Sequence, residues 1–544
     1  MGWLSTRGRP PLLPTDRTPL RGARVDAAAR IAWLLRVNRL AGRYSVTADF
    51  LGELGERGFK LSSAILSRGE TGAEPVSLRL ISAYESLLEL PEGHLLGVSE
   101  GVHGLFGPAL APEPESMWSR GALADLWADA ETRIEAETIT GIEWLTLARV
   151  LSSSAGLLPP SVLHDWFGVL VSQTMRSVGR AYTTRMRALS LLVSGRYTRT
   201  AVFDEIRDAT AQPGVQQVVD VLSALGDSTD PATLRWLIHL LRDADGPHQV
   251  GAATALLTSL VTGGLPADLV PELTRAILLA ARNRPEQGLP PFWLAQRLSS
   301  QLTRDVVAAL GRYPASTEPG ARIDSPAHLT RYLRAAVRLS GIDDPMLDRL
   351  LREGLSPDFI ERRHHALLLL RFSPYRDVLA DTALDLLTAP DAGPAAGHLL
   401  TYLAGPAQRD RLLTASTDGE GDRPGEMLVA LANAGGVPDR VPLADRAADP
   451  DQAADAVYAA GMSGHRDLEH IAASSRFGDS AVQTDARWWL REGPAVTDDP
   501  GAHGTARTDG ADRAPSVDLR RTMPGVAWTL PRSASSSRTA LEDC

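Results

Sequence analysis

Along most of the 544-residue chain, apolar residues recur at spacings of three and four, the period of a helix with one buried face. Alternating runs of β-branched residues, which would mark half-buried strands, are almost absent, and leucine and alanine dominate. The pattern predicts an all-α protein. Through the middle of the chain the helices come in pairs. In DPATLRWLIHLLRDADGPHQVGAATALLTSL, residues 230–260, Leu234, Leu237 and Leu241 share one face, and Ala253, Leu256, Leu257 and Leu260 share another. Residues 344–372 and 464–492 repeat the plan: a Gly, Asp or Pro signal, a helix, a short polar break and a second helix. One such hairpin cannot bury its apolar faces alone, whereas stacking on neighbours does so.

This spacing resembles HEAT-type or armadillo-like α-solenoids and implies an α-helical repeat domain over residues 117–493; an irregular all-α domain is the alternative. Trp488 and Trp489 are expected to close the last repeat. Residues 1–23 are rich in Arg and Pro, lack apolar periodicity and read as a disordered basic arm. Residues 24–100 read as a compact helical domain, 101–116 as a Pro- and Gly-rich linker, and 494–544 as a disordered tail of low apolar content.

The sharpest motif lies in the compact N-terminal stretch. Asp26 can cap a helix running to Ala41, with Gly42 as its stop and Leu34, Val37 and Ala41 on its inward face. Thr47 can cap a second helix containing Phe50, Leu51 and Leu54. After a Gly-containing turn comes LSSAILSRGETG, residues 61–72, and then a helix from Ser77 carrying Leu78, Ile81, Tyr84, Leu87 and Leu88. Leu61-Ser62, Leu66-Ser67-Arg68, Glu70, Gly72, Pro75 and Ser77 stand at the spacing of the Xre/Cro-repressor-type helix-turn-helix family, which residues 24–100 resemble.

The resemblance implies a five-helix domain that binds double-stranded DNA, lays its recognition helix in the major groove and works as a dimer on paired half-sites. The residue chemistry agrees. Ile65 and Leu66 would anchor the helix, while Ser62, Ser63, Ser67 and Arg68 would face outward. Serine hydroxyls fit near phosphates or base edges, and arginine reads guanine O6 and N7. Lys60, just before the helix, and Thr47, at the start of the preceding one, are placed for phosphate contact. Glu70 is expected to tie helix termini or arginine side chains rather than read bases.

Charge first opposes this picture. The formal net charge is −10, unfavourable for phosphate contact. Residues 1–43, however, hold nine arginines against Asp16 and Asp26, a net of +7, and the remaining chain carries −17. A basic arm beside a helix-turn-helix can follow the backbone or enter the minor groove. The acidic repeats would avoid DNA and serve a protein partner, a homodimer or an effector. Lys60 is the sole lysine; with abundant Ala, Gly and Pro this points to a GC-rich bacterial genome.

Cys544 is the single cysteine, which excludes an intramolecular disulfide and a Cys-ligated metal site and fits a reducing cytosol. No apolar run approaches the ~18–20 residues of a membrane span, and prolines near the start do not suit a signal peptide, so a cytoplasmic protein is expected. No catalytic set, cofactor or metal is expected either. GMSGH, residues 461–465, lacks the G-x-S-x-G spacing. DGEGDRPGE, residues 418–426, matches neither an EF-hand nor a phosphate loop. His364 and His365 are adjacent on a helix and cannot form the i, i+4 pair that metals favour. The expected function is a DNA-binding transcriptional regulator with a large helical-repeat domain. The alternative is a non-catalytic helical-repeat scaffold whose N-terminal domain docks protein. An enzyme would require a deep pocket with converging polar groups in the repeat region.

Overall fold

Asp26 starts the first helix as its position suggests: its carboxylate accepts from the Ala29 N–H at 2.9 Å. The computed structural model describes residues 3, 12–20, 24–42, 44–107, 120–153, 158–244, 246–285, 288–314, 326–355, 360–389, 392–417, 424–477 and 480–498. Among them are twenty-seven α-helices and no named strand. The first five are α1 (Ala27–Ala41), α2 (Thr47–Glu56), α3 (Ser63–Thr71), α4 (Leu78–Leu87) and α5 (Leu96–Phe106). There follow α6 (Arg120–Glu135), α7 (Gly141–Ser153), α8 (Pro160–Arg176), α9 (Gly179–Ser194), α10 (Arg199–Thr210), α11 (Val219–Ala224), α12 (Pro231–Asp243), α13 (Gly246–Thr262), α14 (Val270–Asn283), α15 (Leu289–Leu298) and α16 (Ser300–Leu310). The rest are α17 (Pro326–Ser340), α18 (Pro345–Gly354), α19 (Ile360–Arg371), α20 (Arg376–Leu384), α21 (Gly393–Leu403), α22 (Arg409–Thr417), α23 (Pro424–Asn433), α24 (Leu443–Arg446), α25 (Ala453–Ser463), α26 (Asp467–Ala473) and α27 (Ala481–Glu492). No helix among the described residues is long and apolar enough to cross a membrane.

The three helical pairs read from the sequence are α12–α13, α18–α19 and α26–α27, each packed as neighbours. Asp230 caps α12 through the Thr233 N–H at 2.9 Å, and Asp344 caps α18 through Met346 and Leu347. Leu234, Leu237, Leu241, Ala253, Leu256 and Leu257 are buried where the two helices meet. From α12 to α16, and again from α20 to α27, helices pack on the next one or next but one, as stacked hairpins do.

The stretches expected as separate domains meet one another among the described residues. The described residues, up to Asp498, fall within one compact unit. The expected linker begins inside α5, which runs to Phe106 and packs on α9, α13 and α19; residues 108–116 lie outside the described set. α1 is buried on more than the one face expected of it. Its Leu34 and Val37 are enclosed, but so are Ile31, Trp33 and Leu35. One side meets α3, α4 and α5. On the other, Trp33 donates its indole N–H to Asp344 at 2.8 Å, and Asn38 donates to the Phe372 carbonyl at 3.3 Å.

Residues 12–20, expected within a disordered arm, are likewise packed. Leu13 and Asp16 are buried. Arg349 on α18 donates to the carbonyls of Asp16 and Thr18 at 2.7 and 2.6 Å. The cause is charge: Arg30 lies wholly buried on α1, and Asp16 at 2.8 Å and Glu353 at 2.8 Å accept from it. The other residues of the arm, 1–2, 4–11 and 21–23, are outside the described set.

The C-terminal end also departs from an open stack. Trp488 and Trp489 are buried in the last helix, as a closing role requires, yet α27 packs onto the N-terminal half as well. Trp489 donates to Gln216 at 2.6 Å, and Ser172 on α8 donates to Glu492 at 2.7 Å. Residues 494–498, expected in a disordered tail, continue this closure. Val496 bridges Ser177, and Asp498 pairs with the buried Arg185 at 2.9 Å. Residues 499–544 are outside the described set.

Burial within this seam lifts the Asp485 carboxyl on α27 from 3.8 to about 6, against the opposing bond from Gln216. The folded state therefore holds that proton more tightly than the unfolded chain. The resulting stability is full below the ordinary carboxylate range and is lost as pH rises through about 6. Asp485→Asn is expected to flatten the decline between about pH 4 and 6, measured as the difference in urea midpoint from the parent. A difference independent of pH would refute this assignment.

Candidate functional site

Two regions carry candidate chemistry: the exposed face of α3 and a cavity among the later helices. α3 is bounded as its sequence suggests. The Ser62 hydroxyl caps it, accepting from the Ile65 N–H at 3.3 Å. Gly72 ends it at a φ of 72°, and a Cβ there would come 3.1 Å from the Ala29 backbone, so only glycine fits. Gly69 is buried, and a Cβ on it would meet Leu80 at 2.8 Å; its bare backbone lets α3 approach α4.

Glu70 is the structural residue it was expected to be. Buried on α3, it accepts a two-pronged bond from Arg39 of α1, at 2.7 Å from Nη2 and also from Nε, and a bond from the Tyr84 hydroxyl of α4. Burial, followed by the Glu70 charge, pushes the Tyr84 phenol well up, so it remains a donor.

The six nominated contact residues are distributed as follows. Lys60, Ser62, Ser63, Ser67 and Arg68 are exposed and lie within one short stretch of chain. Arg68 pairs with Glu74 at 2.8 Å. Thr47 is half-buried and does not cap α2; the cap position is Val46, with no side-chain bond, because Thr47 already has a helical conformation. Ile65, expected as an anchor, is 41% exposed, leaving Leu66 to anchor the helix. Six residues separate α2 from α3, against three or four in the usual helix-turn-helix.

The local electrostatics also differ from the summed charge. Arg30 and Arg39, two of the nine arginines in residues 1–43, are buried against carboxylates and unavailable to phosphates. Asp49, Glu53 and Glu56 are exposed along α2.

The second region is one that sequence reasoning missed. A cavity of about 300 Å³ lies between α5, α9, α11, α13, α19 and α21. A neighbouring one of about 220 Å³ shares Tyr182, Asp220, His364, Leu368 and Tyr402 with it. His364 contacts the Tyr182 hydroxyl at 3.5 Å and the Tyr402 hydroxyl at 3.4 Å. Burial pushes its imidazole down to about 4, so the ring is neutral at neutral pH. Burial, aided by the Arg363 charge, likewise pushes His398 down to about 3. His365 lines the same cavity, its ring 5.5 Å from that of His364. Successive helical residues point about 100° apart, and the cavity covers a wide enough arc of α19 to take in both histidines.

Two carboxylates face the same space. Asp227 is raised by burial, against a bond from Ser190 and the charge of Arg187. Asp220 is raised by burial and opposed solely by a bond from the Tyr182 hydroxyl. No cationic side chain among the described residues pairs with Asp220. In the sequence Asp220 reads as an ordinary acid in a helix's first turn; only the packing of other helices around α11 brings it, half-buried, to a cavity wall. Among the described residues, no three His, Cys, Asp or Glu converge closely enough to hold a metal ion. Comparison with protein-family models, curated proteins and solved structures finds no match.

Proposed function

We propose that the protein is a DNA-binding transcriptional regulator in which α3 is the recognition helix and the later helices form the effector- or partner-binding part. The observation that carries the reading is the face of α3. Ser63, Ser67 and Arg68 are exposed together on a helix braced from behind by Leu66, Gly69 and the Arg39–Glu70–Tyr84 network. Short hydroxyls and one arginine on a rigid helix are the equipment for reading base edges, with Lys60 beside them for a phosphate. Double-stranded DNA is the partner on this reading.

A second reading is favoured by the charge around that face. The exposed acids of α2 and the engaged Arg30 and Arg39 leave little positive field for phosphates, which suits a protein-docking module on a non-catalytic scaffold. A mobility-shift titration of the intact chain against genomic fragments separates the two. The regulator reading expects a sequence-selective shift that Arg68→Ala weakens by about tenfold or more, with unchanged melting. A chain that produces no selective shift, or one indifferent to Arg68→Ala, Ser63→Glu and Ser67→Glu alike, overturns it in favour of docking.

A further inference from the structure

We propose that the central cavity is a binding site for an organic cation, an amine with a compact apolar body, and that Asp220 receives its ammonium group. This inference goes beyond the reading of α3 and does not depend on it.

The cavity is large enough for a small ligand. Its volume of about 300 Å³ is at the lower end of ligand pockets, and the adjoining 220 Å³ extends it along the same wall. The lining is mainly apolar, with Val98, Met186, Ala224 and Leu368 among its contributors. Polar groups converge at the shared wall, where Asp220 accepts from Tyr182 and faces the neutral His364.

The surroundings of Asp220 argue for a cationic ligand. A carboxylate held in an apolar setting ordinarily has a cation beside it, because desolvation without one is costly, and half-buried Asp220 has none among the described residues. Of the other charged groups around the cavity, Arg187 and Asp227 lie beside opposite charges, and Arg363 has the Gly354 carbonyl as an acceptor. Arg187 bonds Glu100 at 3.3 Å and also lies close to Asp227. Arg363 is buried and donates to the Gly354 carbonyl at 3.3 Å. Asp220 has one neutral donor and open cavity. An ammonium group placed there would gain a charge-assisted bond and could donate a second to the neutral imidazole of His364. The phenol rings of Tyr182 and Tyr402, which flank His364, and of Tyr458 on the adjoining wall offer faces that attract a cation.

α5 leaves the space open. Gly101 faces the cavity, and a Cβ there would meet a single atom, His365 Nε2, at 3.9 Å. At Gly97, four residues before Gly101 on the same helix, a Cβ would come 2.6 Å from Thr183; this close approach holds α5 against α9. Gly101 is therefore the place where a side chain can be added into the cavity without pushing the helices apart.

The test is calorimetric titration of the full chain at neutral pH. The probes are 2-phenylethylammonium and cyclohexylmethylammonium, each beside its alcohol and its carboxylate of matched size. At least one ammonium is expected to bind about tenfold or more tightly than its alcohol, with the carboxylate weakest. Asp220→Asn, which keeps the shape and removes the charge, should erase that preference while leaving the melting temperature unlowered. Gly101→Leu should abolish binding of amine and alcohol together. The proposal is overturned if neither ammonium is preferred over its alcohol, if a carboxylate binds best, or if the preference survives Asp220→Asn. Should Asp220→Asn unfold, undiminished amine binding by folded Gly101→Leu overturns the site instead. Loss of DNA binding in the mobility-shift assay leaves these outcomes untouched, so the two readings fail separately.

Discussion

Glu353→Ala is expected to destabilise the protein by about 3–5 kcal/mol, because it strips the shared counter-charge from three arginines inside the fold. Arg30 lies within 2.8 Å of Glu353 and Arg349 within 3.0 Å, and Arg362 also donates to it. Arg30 and Arg362 have side chains at 0% and 1% exposure, so water cannot replace the lost carboxylate. Asp16 remains, but it would face the cluster alone. Burial works to raise the Asp16 carboxyl, yet the Arg30 charge and the bonds from Thr18 outweigh it and hold it below its usual value. That depressed carboxyl contributes stability above the ordinary carboxylate range and loses it as pH falls through the depressed one. The expected result is a lower urea midpoint at unchanged slope, with steeper acid sensitivity in the parent than in Asp16→Asn. A cost below about 1 kcal/mol, the usual worth of a solvent-exposed pair, would mean that the cluster is hydrated and that residues 12–20 are not docked by it.

Trp489→Ala is expected to cost about 3–5 kcal/mol through the cavity it leaves. Trp489 is 1% exposed, packs edge-on against Trp488 at 4.8 Å and lies 5.9 Å from the Tyr458 ring. Its indole is also the donor to Gln216, a residue 273 positions earlier, so the substitution removes a link in the seam between the chain's two halves. The fit is tight: a Cβ on Gly461 would come 2.0 Å from the indole, and relaxation around the vacancy is correspondingly restricted. Thermal and urea unfolding should show the loss, and Trp489→Phe should recover part of it by refilling the space without the N–H. Equal losses for Ala and Phe would assign the effect to the hydrogen bond rather than to packing.

Both predictions concern contacts between residues hundreds of positions apart, and neither contact was legible in the sequence. What was legible was local. Helices could be placed because their apolar period and their caps are neighbours in the chain, as at Asp26, Asp230 and Asp344. The pairing of α12 with α13 followed because a short polar break leaves two apolar faces little choice but each other. Glu70 could be singled out as structural, although Arg39 and Tyr84 as its partners could not. Ile65 misled because an apolar residue beside Leu66 looks equally inward until the neighbouring helices fix which face is covered.

The summed charge of residues 1–43 overstates the free arginines for a related reason. A sum over residues 1–43 treats each arginine as free, whereas Arg30 and Arg39 are consumed by Glu353, Asp16 and Glu70 inside the fold. The cavity escaped notice because its polar wall is assembled from separate helices. Tyr182, Asp220, His364 and Tyr402 each stand alone in sequence as an ordinary helical residue. The sequence by itself determined that the protein is helical, where helices such as α1, α12 and α18 begin, and which face of α3 carries serines and an arginine. Only the tertiary structure decided that the five N-terminal helices, residues 12–20 and the last helix belong to one body, and that a half-buried carboxylate lines a cavity between its helices. Helix formation depends on residues three or four apart, whereas burial and charge pairing depend on which distant surfaces meet.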